Sequence, residues 1–149
     1  MKYEFSLEVV LDHRKRNENE ARRKFYEAQS KVDAAVAQLN EFYDQVDHAR
    51  SESMKLQVKG GTTAPSLVAN ENFVTGQKFR IEAQRMKIRD LKMEAESLQD
   101  ALLEAAKETK TLEKLKERQV EEFKKKRRKH EAREMDEIVT LRHKNPAQE

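Results

Sequence analysis

The chain has 149 residues, 40% of them charged and 6% aromatic, with a net charge of +3 and neither cysteine nor tryptophan. This length suits one domain, but so few large apolar side chains cannot fill a wide globular core; they suffice for a narrow seam between helices, which grows with length. Without cysteine, disulfides and thiolate metal sites are excluded, and interspersed acids and bases describe solvated helix faces rather than a strongly charged patch.

The amino terminus, MKYEFSLEVVLDHR, is charged within its apolar part, and no apolar run in the chain exceeds four residues. Neither a cleaved signal nor a membrane-spanning helix is expected, so the chain reads as soluble and uncleaved. A first helix is predicted from about residue 3 to 57. Apolar side chains fall at Ala21, Phe25, Ala28, Val32, Ala35, Leu39, Phe42, Val46 and Ala49, with gaps alternating four and three. That is a heptad seam, and it outweighs the disorder that high charge alone would suggest.

The stretch VKGGTTAPSLVANENF, residues 58 to 73, interrupts this rhythm with two glycines, a proline and small polar residues. It predicts a tip loop at about 58–70. A second helix follows at about 70–142, with a short tail at 143–149. Its seam runs through Ile81, Ile88, Leu91, Ala95, Leu98, Leu102, Ala105 and Leu112, with Gln84 and Thr109 at the missing steps. Folding back at the tip makes an all-α, antiparallel two-helix coiled-coil hairpin over 1–149. The expected register sets Phe42 against Ile88, Leu39 against Leu91, Val32 against Leu98, Ala28 against Leu102 and Phe25 against Ala105. A parallel homodimer through one helix is the alternative.

Toward the base the pattern loosens. Leu112 and Leu115 stand three apart where four is due, which predicts a stammer. Leu7 is expected opposite Phe123, so that residues beyond about Arg127 overhang. Phe5, Leu7, Val9, Val10 and Leu11 at one end, and Met135, Ile138, Val139 and Leu141 at the other, exceed what a two-helix seam needs. They either cover one another at a frayed end or form a docking surface.

No catalytic constellation emerges. His13, His48, His130 and His143 lie far apart on charged stretches, and Gly60–Gly61 lacks the Gly-Lys-Ser of a phosphate loop. No enzyme, cofactor or metal is expected. The sharpest local feature is the basic run Lys124, Lys125, Lys126, Arg127, Arg128 and Lys129. It is either a solvated face, a contact for an acidic protein surface, or a nucleic-acid contact; aromatic stacking residues and a reading motif are missing for the last.

The opening FSLEVVLDHRKRNENEARRKFYEAQ and the later LEKLKERQVEEFKKKRRKHEAREMDEI resemble the flagellar export protein family FliJ, whose members open with a similar F-x-L-E-x-V-L-x-x-R stretch. The resemblance implies a cytoplasmic, non-enzymatic component of the flagellar type III export apparatus, peripheral to the inner membrane. It implies a stalk within the hexameric export ATPase that promotes its assembly and couples it to the cytoplasmic domain of the export gate. Export chaperones are further implied partners, and direct nucleic-acid binding is not. By resemblance, gate contact falls to Gln38, Phe42, Phe73 and Gln84. The ATPase-facing base falls to Phe5, Leu7, Leu11 and Arg14, with Met135 and Ile138 opposite. A nucleic-acid-associated or scaffold coiled coil using residues 124–129 is the competing function.

Overall fold

The computed structural model describes residues 2–60 and 64–144. Two helices, α1 (Glu8–Lys59) and α2 (Ala64–Lys144), pack against each other as an all-α helical hairpin. Glu8 in the first turn of α1 and Lys59 in its last complement the helix dipole. Gly60, at φ 56°, supplies the left-handed residue that ends α1. Pro65 sits in the first turn of α2, where its missing N–H would have no helical partner in any case.

The helices are longer at the tip than the sequence pattern suggests. α2 begins at Ala64 rather than near residue 70, and at its far end it continues through His143 to Lys144. α1 begins at Glu8 rather than near residue 3 and runs on to Lys59. The seam continues through Leu67, Asn70, Val74 and Gln77, all at least half-buried. Polar residues at two of those steps hid the period. The Gly61 half of the glycine pair and residues 145–149 of the expected tail lie outside the described residues.

The chain divides into two compact units, Asn19–Leu103 and Met1–Glu18 with Glu104–Glu149. In the first, Ala28, Val32 and Ala95 form a buried cluster, with Val36, Leu91 and Leu98 packed against it. Ala35, Val46, Ala49, Ile81 and Ile88 are also buried. Phe25, Leu39, Phe42 and Leu102 are half-buried along the same seam.

The register is one heptad away from the expected one. Ala28 packs with Ala95, not Leu102, a shift of seven residues (102 − 95). Gln77 donates from Nε2 to Gln45 Oε1 at 2.6 Å, and Ser53 Oγ accepts from Asn70 Nδ2 at 3.2 Å. A heptad repeat cannot distinguish registers seven residues apart by apolar spacing, so the polar steps decide. Asn70, Gln77 and Gln84 themselves recur every seven residues. Gln77 is fully buried and also accepts from Arg80 Nη1 at 2.7 Å, while Gln84 Nε2 donates to the Ala35 carbonyl at 2.9 Å.

In the other unit the two chain segments are again antiparallel. Arg14 Nη1 lies 2.7 Å from Glu108 Oε2, and Lys116 Nζ reaches Glu8 at 2.9 Å. The Tyr3 and Phe123 rings meet at 5.5 Å, so Tyr3 takes the place expected for Leu7. The heptad steps after Leu112 hold without a stammer: Lys116, Gln119 and Phe123 are half-buried in frame. Leu115 and Val120 are half-buried beside them, which widens the seam.

Candidate interaction site

Three surfaces carry the residues singled out by sequence. The first flanks the seam in the Asn19–Leu103 unit. Phe73, 39% exposed, lines an open groove with Gln45, His48, Asn70 and Arg80. Gln38, one heptad before Gln45, is exposed. Phe42 and Gln84 are half-buried instead, and Gln84 is committed to the Ala35 carbonyl. The four expected gate residues therefore divide: Gln38 and Phe73 present surface, whereas Phe42 and Gln84 belong to the seam. Gln45 and Arg80 complete the groove, and only the heptad frame, extended through the polar steps, could have pointed to them.

The second surface is the amino-terminal end. Phe5 and Leu11 are 7% and 1% exposed, so they form the core of their unit rather than an open docking face. Leu7 is half-buried, and Arg14 is half-buried and paired with Glu108. The reason is that residues 2–7 fold against α2: the Phe5 carbonyl accepts from the Glu8 backbone N–H at 3.2 Å, and Lys116 Nζ stands 6.0 Å over the Phe5 ring. The hydrogen bond from Lys116 to Glu8 raises the lysine pKa above its ordinary value. Met135 and Ile138 are not opposite these residues, which face the α2 stretch around Lys116.

The third surface is the last part of α2. Every residue from Lys124 to Lys144 is exposed. Met135, Val139 and Leu141 are 63%, 62% and 63% exposed and Ile138 48%, a stripe that a helix in water leaves open at a cost. Just before it lies the basic run. Lys124 is 3.9 Å from Glu121, and Arg127 is 3.2 Å from Glu131. Lys125, Lys126 and Lys129 have no acidic partner within 4.0 Å among the described residues.

Among the described residues no group of three His, Asp or Glu could hold a metal ion, and no helix is long and apolar enough to cross a membrane.

The sequence matches the family described as "Flagellar FliJ protein" over residues 2–148. No curated protein matches it. Among solved structures, CT670 from Chlamydia trachomatis, described as a YscO homologue, is similar in fold. It has a TM-score of 0.56 and 20% identity, with 99% of each chain covered. The chain belongs to the flagellar FliJ family, and with it to the type III export apparatus.

Proposed function

We propose that the protein is a non-enzymatic stalk that sits in the hexameric export ATPase, promotes its assembly and couples it to the cytoplasmic domain of the export gate. The observation that carries this reading is the unpaired end of α2. A ring-shaped partner needs a helix it can grip, an apolar point of contact and charges that steer entry. Residues 124–144 supply the basic run followed by Met135, Ile138, Val139 and Leu141, all exposed. The ATPase contact is assigned to this stripe and not to Phe5 and Leu11, whose burial commits them to folding.

The gate contact is assigned to the groove that Phe73 and Gln45 line, with exposed Gln38 one heptad before Gln45. Export chaperones are further partners in this reading, and the protein acts on the cytoplasmic side of the inner membrane, reaching the membrane only through the gate.

Stimulation and hexamer formation of the cognate export ATPase test the assignment. The full chain should enhance both. Met135→Asp with Ile138→Asp should abolish both while leaving helicity intact, because both side chains are exposed. Wild-type stimulation by that variant refutes the assignment of the stripe; no stimulation by the unaltered chain refutes the stalk itself.

A further inference from the structure

Gly76 lies well inside α2, and nothing among the described residues asks for a glycine there. Of the described glycines only Gly60 has a positive φ. A Cβ added at Gly76 would meet no described atom within 4 Å beyond its chain neighbours and its own helix backbone. Alanine would therefore fit the folded chain, and a glycine in a helix interior is less stable than alanine.

The two aromatic neighbours of Gly76 are also unfavourable in water. Phe73 and Phe79 stand one turn before and one turn after it, 39% and 74% exposed. Three residues in either direction place them about 60° to each side of the glycine around the helix. Phe73 is therefore on the seam side and Phe79 on the side away from it. Along the axis their Cα atoms are about 9 Å apart. Two rings flanking a floor of bare backbone outline a notch one side chain wide. Phe73 also lines the groove with Gln45, His48, Asn70 and Arg80, so groove and notch share a wall.

We propose that the cytoplasmic domain of the export gate seats an apolar side chain in this notch, against the backbone of Gly76. The gate contact then extends from the groove onto the outer face of α2. This rests on the assignment of the groove to the gate, and the shared Phe73 wall is what names the occupant. Absence of a Cβ is what lets another chain approach a helix backbone closely, and aromatic walls exclude water from such an anchor. Lys78, Arg80 and Glu82, close by on α2, carry both signs, so recognition here is by shape and not by charge.

Calorimetric titration of the full chain with the cytoplasmic domain of the gate tests this. Gly76→Leu should weaken binding by about tenfold or more, because an occupied notch has no room for the added side chain, and its Tm should not fall. Gly76→Ala should raise Tm by about 2–4 °C and still bind less tightly than the unaltered chain. Ser97→Leu, exposed at the same heptad position three repeats on, should bind the gate normally. All three variants should stimulate the export ATPase as the unaltered chain does. Undiminished gate binding by Gly76→Leu, or a drop in its Tm that accounts for the loss, overturns the notch. When Phe73→Ala weakens the gate contact and Gly76→Leu does not, the groove stands and only the notch fails. When neither weakens it, or the unaltered chain does not bind, the gate assignment fails and the notch with it. Binding to anionic phosphatidylglycerol vesicles, or self-association, that Gly76→Leu abolishes while gate binding persists would overturn the proposal in favour of a membrane or a second copy.

Discussion

Replacing Asn70, Gln77 and Gln84 together by leucine should stabilise the hairpin and blur its register. Leucine would bury apolar surface worth about 1.5–3 kcal/mol at fully buried Gln77 and about half that at half-buried Asn70 and Gln84, against the loss at each site of a hydrogen bond worth about 0.5–1.5 kcal/mol. Gln45 is exposed and Ser53 half-buried, so both can turn to water, and the Ala35 carbonyl keeps its place in α1. The net gain is about 1 kcal/mol at Gln77 and near zero at the other two, which for a chain of this size raises Tm by roughly 2–4 °C in all. The polar steps are also what sets a slip of one heptad apart from the native pairing. Because the protein has no cysteine, engineered pairs report register cleanly. With a short bis-maleimide, cysteines at Ala28 and Ala95 should cross-link in the unaltered chain, and those at Ala28 and Leu102 should not. In the triple variant the second pair should also react in a measurable minority. A lower Tm, or cross-linking of the native pair alone, would refute the argument that these amides trade stability for register.

Leu11→Ala should cost about 2–4 kcal/mol, since the side chain is 1% exposed; urea denaturation reads it. Tyr3→Phe should stabilise by about 1 kcal/mol, because the Tyr3 hydroxyl is buried with no hydrogen-bond partner among the described residues, and thermal melting would show a small upward shift. Raising pH through the lysine range should loosen residues 2–8. The Lys116 pKa is raised by its bond to Glu8, so the stabilisation is complete below the unfolded-state value and disappears as pH climbs past the folded-state one. Amide exchange near Phe5, compared between the unaltered chain and Lys116→Gln, measures this. Phe73→Ala should weaken binding to the gate domain without changing the melting curve, whereas Phe42→Ala should lower both.

The four-three spacing from Ala21 to Ala49 made the helices and their pairing legible, because burial of a coiled-coil seam depends on position alone. The same regularity made the register illegible: every apolar layer resembles the layer seven residues on. What distinguishes them is where Gln77 finds Gln45 and Asn70 finds Ser53, and a glutamine in a sequence does not announce that it is buried. Likewise Pro65 and Asn70 suggested a loop, although a proline is at home in a first helical turn. Phe5 looked like surplus apolar surface because Lys116, which stands over its ring, is polar. Met135 and Ile138 were legible as unpartnered, since no residues of α1 remain to pair with them.

The brevity of the connection beginning at Gly60 has a kinetic consequence. Cross-helix bonds span 17 residues at Asn70, 32 at Gln77 and 49 at Gln84, but 94 at Arg14 and 108 at Lys116. Closing the smallest of these rings sacrifices the least chain entropy, and each closure shortens the effective ring for the next. Assembly should therefore zip outward from Gly60. On a ribosome, each newly emerged turn of α2 finds the turn of α1 synthesised most recently still waiting, and Tyr3 and Phe5 are covered after the seam nearer Gly60.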